Sequence, residues 1–140
     1  MAARFCPERR SWHAVHMLRL GTIVLGVDDV DRAVRFWSAA LGYRPHTFPD
    51  SDNDFTILVP PSGEGTRLAV QRSASPVDEH PRHHIDLIVD TADEQRAEVE
   101  RLVALGAQLV DWDTYPDDPD FVVLADPDGN RFCIVDAGHG

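Results

Sequence analysis

Leu124-Ala125-Asp126-Pro127-Asp128-Gly129-Asn130-Arg131-Phe132-Cys133-Ile134-Val135 reads as a β-hairpin. Apolar runs on both sides, Phe121 to Ala125 and Phe132 to Val135, enclose a turn. In that turn Pro127 pre-sets φ at the second position, and Gly129 is free to take the left-handed conformation. Period-2 alternation puts Cys133 and Val135 on one face of the last strand and Phe132 and Ile134 on the other.

Upstream of the hairpin the chain contains the same order of elements twice. Leu18 to Val27 is rich in Leu and β-branched residues and reads as a strand. Asp28 and Asp29 offer an N-cap to a helix over Val30 to Leu41, in which Val30, Val34, Trp37 and Leu41 recur at helical spacing. Trp37 lies on the inward stripe and belongs to the core, and Gly42 ends the helix. Strands at Tyr43 to Phe48, Phe55 to Val59 and Arg67 to Arg72 follow, separated by turn-rich 49–53 and 60–65. A polar, proline-containing linker covers 73–82. Then His84 to Val89 reads as a strand, and Thr91 with Glu94 as a capping box. A second helix carries Val99, Leu102, Val103 and Leu105 and ends at Gly106. Strands at Gln108 to Trp112, Phe121 to Ala125 and Arg131 to Val135 complete the unit.

Val27-Asp28 aligns with Val89-Asp90, Leu41-Gly42 with Leu105-Gly106, and Phe55, Leu58 and Gly63 with Phe121, Leu124 and Gly129. The expected fold is therefore α+β: two tandem βαβββ modules, 18–72 and 83–136, in one domain spanning 17–137. Each sheet covers one face with its helix. The opposite faces curve into a mixed sheet around a ligand cleft. Period 2 turns Ile23, Leu25, Val27, Ile85, Leu87 and Val89 toward the helices. Thr22, Val24, Gln71, His84, Asp86 and Cys133 are left for the cleft.

The 140 residues have a formal charge of −11, with 24 acidic against 13 basic side chains. That balance argues against nucleic acid or an anionic membrane as partner. Cys6 and Cys133 make no disulfide framework. No apolar run approaches the ~18 residues of a membrane span, and 1–16 lacks the apolar core of a secretory signal. The expectation is a cytoplasmic protein with a loose tail over 1–16, which is alternatively an upstream extension of the reading frame.

The tandem layout, the helix VDDVDRAVRFWSAALGY and the closing LADPDGNRFCIVD resemble the vicinal oxygen chelate superfamily. Glyoxalase I, bleomycin-resistance proteins and extradiol dioxygenases belong to it. LAVQR, HIDLIVD and FCIVD are most similar to its glyoxalase-like subgroup. The resemblance implies the glyoxalase/bleomycin resistance/dioxygenase fold over Leu18 to Asp136, and a homodimer. In metal-dependent members one divalent ion is held by a His on the first strand, Glu or Gln on the fourth, His on the fifth and Glu on the eighth. Those places fall here on Thr22, near Ala69 or Gln71, on His84 and on Cys133. Only His84 and Gln71 match, so no metal or other cofactor is expected.

Each candidate has two readings. His84 and Asp86, two apart on one strand face, are either a general acid/base pair or a hydrogen-bonded part of the wall. His80, His83 and His84 invite a metal, but His83 and His84 point to opposite sides, and a solvated cluster is expected. Cys133 is a nucleophile or a small apolar filler, with the filler expected. Gln71 is a ligand-facing amide. Trp112, Tyr115 and Phe121 flank the acidic loop 113–120 and form either an aromatic lip or ordinary loop anchors. Thr22, Gln71, His84, Trp112, Phe121 and Cys133 are the expected ligand contacts. The expected function is small-molecule binding without the usual catalytic metal. The alternatives are a lyase, isomerase or dioxygenase-like enzyme using His84/Asp86 or an atypical metal site, and a purely structural interaction module.

Overall fold

The computed structural model describes residues 17–48 and 53–140. The tail 1–16 and the turn residues 49–52 lie outside them. The first module comprises β1 (Thr22–Val27), α1 (Val30–Leu41), β2 (Arg44–His46), β3 (Phe55–Val59) and β4 (Arg67–Arg72). The second comprises β5 (Ile85–Val89), α2 (Ala92–Leu105), β6 (Gln108–Leu109), β7 (Phe121–Ala125) and β8 (Arg131–Asp136).

Each module builds its own four-stranded mixed sheet, ordered β1-β4-β3-β2 and β5-β8-β7-β6. In both, the outer strand runs parallel to the last one and the remaining pairs are antiparallel. The doubled βαβββ unit is thus confirmed as two separate sheets. Four strands are shorter than their sequences suggest, β2 among them, which is confined to Arg44–His46 of the expected Tyr43 to Phe48. Residues 18–21 precede β1, His84 precedes β5, and β6 stops at Leu109, because the edges of these sheets have no further strand to hold them.

Local chemistry explains the helices. The Asp29 side chain accepts the Arg32 N–H at 3.1 Å and caps α1, and Gly42 closes it at φ 71° with its N–H on Ser38 O. Thr91 Oγ1 accepts the Glu94 N–H, while Glu94 reaches back to the Asp90 N–H. That is a capping box displaced by one residue. In the hairpin turn Gly129 has φ 93°, and its counterpart in the repeat, Gly63, has φ 81°.

One core serves both modules. Val27, Val30, Ala33, Phe36 and Trp37 join Leu58, Leu68 and Val70 from their own sheet, and Leu102, Leu124, Phe132 and Ile134 from the other half. Trp37 is fully buried and packs edge-on against Phe132, with ring centroids 5.1 Å apart. Truncating such a side chain costs about 3–5 kcal/mol. In α2 only Leu102 is buried; Val103 and Leu105 of the expected stripe remain exposed.

The seam between modules is polar at its edge. Asp128 Oδ1 accepts the N–H groups of Asp28 and Asp29 at 3.0 and 3.1 Å, and Arg32 Nη2 at 2.6 Å. Asn130 Nδ2 donates to Gly26 O, and Arg101 donates to the carbonyls of Ala39 and Ala40 at the end of α1. The DPDGN turn of the second module is therefore the cap on which the first module's β1–α1 connection rests.

Candidate functional site

Strand register assembles the site. Asp86 on β5 is the register partner of Cys133 on β8, and Cys133 is that of Val123 on β7. Their side chains share the sheet face turned away from the helices, while Phe132 and Ile134 enter the core. His84, two residues before Asp86, falls on the same face. His84 Nε2 lies 3.1 Å from Asp86 Oδ1, and each side chain is about half exposed, at 47% and 50%. One donor atom from each of His84, Asp86 and Cys133 lies within 4.8 Å of the other two.

Above this trio opens a cavity of about 490 Å³. Trp112, Phe121, Val123 and Val135 supply its apolar surface, and His80, Asp120 and Arg131 add polar groups. The rim is tied down. His80 Nε2 meets Asp113 Oδ1 at 2.8 Å, and its ring lies 4.8 Å from that of Trp112. The hydrogen bond from His80 holds the Asp113 carboxyl below its ordinary value. The Tyr115 ring lies tilted against that of Phe121, with centroids 5.2 Å apart, and its hydroxyl accepts the Val123 N–H at 2.7 Å. The loop 113–120 is thereby pinned to β7.

Burial, reinforced by the neighbouring Asp86 carboxylate, pushes the Cys133 thiol up to about 11. The metal-free side chain is a neutral thiol at neutral pH, a poor nucleophile.

Five of the expected ligand contacts and candidate catalytic residues meet here: His84, Asp86, Trp112, Phe121 and Cys133. Thr22 and Gln71 do not line this cavity. They belong to β1 and β4 of the other sheet, whose union with the second module runs through α1, the β1–α1 connection and the β7–β8 turn. The cleft expected between the two sheets is thus a pocket of the second module. His80, read from sequence as part of a solvated linker, closes its rim. Asp120 and Arg131 were not anticipated. Arg131 had a signal, since it lies two residues before Cys133 and alternation alone puts it on the same face. His83 lines a different, smaller pocket.

No helix among the described residues is long and apolar enough to cross a membrane.

Three solved structures illustrate the likeness. A glyoxalase-related enzyme from Fulvimarina pelagi is 23% identical, with a TM-score of 0.61 over 85% of this chain and 88% of that one. A glyoxalase/bleomycin resistance protein/dioxygenase family enzyme from Burkholderia phytofirmans PsJN is 17% identical, with a TM-score of 0.65 over 85% and 98%. The genomically encoded fosfomycin resistance protein FosX from Listeria monocytogenes is 16% identical, with a TM-score of 0.62 over 88% and 91%. At such identities they show the shared fold alone. No curated protein matches the chain. The family model for the glyoxalase-like domain matches residues 22–135, from the first residue of β1 to the penultimate residue of β8. The chain belongs to the glyoxalase-like domain family, within the vicinal oxygen chelate fold.

Proposed function

We propose that the second module binds a small organic molecule in the His84 pocket, without the four-position ion site of metal-dependent relatives. The observation behind this reading is the pocket itself. Its volume of about 490 Å³ falls within the ~300–1,000 Å³ usual for small-molecule sites, and it pairs aromatic walls with a few converging polar groups.

The family's ion site does not fit the residues present. Its first-strand place is Thr22, whose neutral hydroxyl is a poor donor, and its fourth-strand place, Gln71, lies outside the pocket that contains His84. A catalytic divalent ion generally needs three protein ligands. The four positions together supply His84 and the Cys133 thiol.

Charge suggests the polarity of the ligand. Residues 83–136 contain 14 of the 24 acidic side chains and 3 of the 13 basic ones. Asp86 and Asp120 face the pocket beside Trp112 and Phe121. Carboxylates next to aromatic faces suit a polar or cationic molecule.

A second reading is favoured by the 3.1 Å His84–Asp86 contact, in which a carboxylate orients an imidazole for acid/base work on the bound molecule. Native mass spectrometry of untagged protein, followed by denaturation and identification of the released compound, tests the first reading. A compound retained by the native chain and lost in Trp112→Ala supports it; retention unchanged in Trp112→Ala overturns it. Consumption of that compound at catalytic protein concentrations, abolished in His84→Gln, moves the assignment to the enzyme.

A further inference from the structure

We propose that His84, Asp86 and Cys133 bind a zinc ion at the floor of this pocket, with a fourth position open to the bound molecule. The inference rests on the reading of this pocket as the ligand site and gives that site its anchor. It differs from the family's chelating set, because Asp86 is none of its four positions and no donor comes from the first sheet.

The argument is geometric. The donor atoms already lie within 4.8 Å of one another. In a tetrahedral zinc site, with metal–ligand bonds of ~2.0–2.3 Å, donors are about 3.3–3.8 Å apart. Rotamer adjustments on the order of 1 Å at half-exposed His84 and Asp86 suffice to close the difference. Two of the donors sit on neighbouring parallel strands as register partners, and the third lies two residues from one of them. The sheet register therefore fixes the backbone spacing of Asp86 and Cys133, and His84 stands immediately before β5.

The donor types select the ion. A thiolate with imidazole and carboxylate suits zinc, whereas magnesium and calcium favour oxygen donors only. Two anionic ligands and a neutral imidazole also neutralise a dication within a strongly acidic module. Arg131, the one cationic side chain on the pocket wall, is engaged with the Gly129 carbonyl at 3.0 Å. Three protein ligands with an open fourth position make the pattern of a reactive or ligand-binding zinc centre rather than a closed structural one.

The test uses the full chain in a Cys6→Ser background, stripped with chelator and titrated with Co²⁺ alone, then with Zn²⁺. One cobalt per chain should bind with tetrahedral d–d bands and a near-ultraviolet thiolate-to-cobalt charge-transfer band, and zinc should displace it one for one. Cys133→Ser should remove the charge-transfer band. Asp86→Asn, at a half-exposed position with little folding risk, should weaken binding by at least the ~10-fold that loss of an outer partner costs. Far-ultraviolet circular dichroism checks that both variants fold. An octahedral spectrum, a charge-transfer band that survives Cys133→Ser, or affinity unchanged in Asp86→Asn overturns the zinc site. Retention of an organic compound by the metal-stripped chain keeps the small-molecule reading when the zinc site fails.

Discussion

The indole nitrogen of Trp37 donates a 3.0 Å hydrogen bond to Asp126 Oδ2, joining α1 of the first module to the β7–β8 turn of the second. Both residues are buried, Trp37 completely. The same carboxylate accepts the N–H groups of Asp128 and Asn130 through its other oxygen. One side chain therefore shapes the turn and clamps the modules together.

Removing the donor leaves a buried carboxylate oxygen with only the 3.4 Å contact from Asn130 Nδ2. Trp37→Phe should cost at least the about 1–3 kcal/mol of an unmade buried hydrogen bond. Urea unfolding measures it; stability equal to that of the parent chain would mean the bond contributes nothing.

Burial raises the Asp126 carboxyl above its ordinary value, against the opposing pull of its Trp37 and Asn130 hydrogen bonds. Between its unfolded value, about 3.9 for Asp, and that higher folded value, the native chain binds more protons than the unfolded one. This group's contribution to stability is thus fullest below the unfolded value and is lost as pH rises through the folded one. Urea midpoints measured upward from about pH 4 should show that loss in the parent and lack it in Asp126→Asn. Parallel profiles for the two chains would refute the assignment.

Asp128 has a side chain only 1% exposed, whereas its partner Arg32 is 41% exposed. Their hydrogen bond holds the Arg32 guanidinium above its already high value. Deleting the acceptor strands two backbone N–H groups as well as the ion pair, so Asp128→Ala should cost about 2 kcal/mol or more. Arg32→Ala should cost less, because half-exposed pairs contribute about 0–1 kcal/mol. Thermal melts of the two variants give the order, and the reverse order would show that the guanidinium rather than the carboxylate organises the seam.

With its thiol pushed up to about 11, Cys133 should resist iodoacetamide at neutral pH in a metal-free Cys6→Ser chain. Labelling should become fast only in strong alkali or on unfolding. Mass spectrometry of timed samples decides the matter; rapid labelling of the folded chain at pH 7 would show a thiolate there.

The order βαβββ twice over, the bounds of α1, β3, β4 and β7, and the helix-facing sides of β1, β5 and β8 were legible in the primary structure. Each is set by spacing within a few residues, through capping, alternation and a glycine that must take positive φ. That is why period 2 alone turns His84, Asp86 and Cys133 to the cleft side, together with Thr22 and Gln71. The confinement of the pocket to the second sheet was not legible. Thr22 and Gln71 share the sidedness of His84 but not its pocket, because long-range packing of Trp37 on Phe132 and of Asp128 on the β1–α1 connection decides how the modules dock. His80 and Asp120 reach the rim for a similar reason, since a linker and a loop have no period from which direction can be read. Local chemistry thus determined what each element is and which way its side chains face, while tertiary contacts between residues about a hundred positions apart decided which of those faces share a pocket.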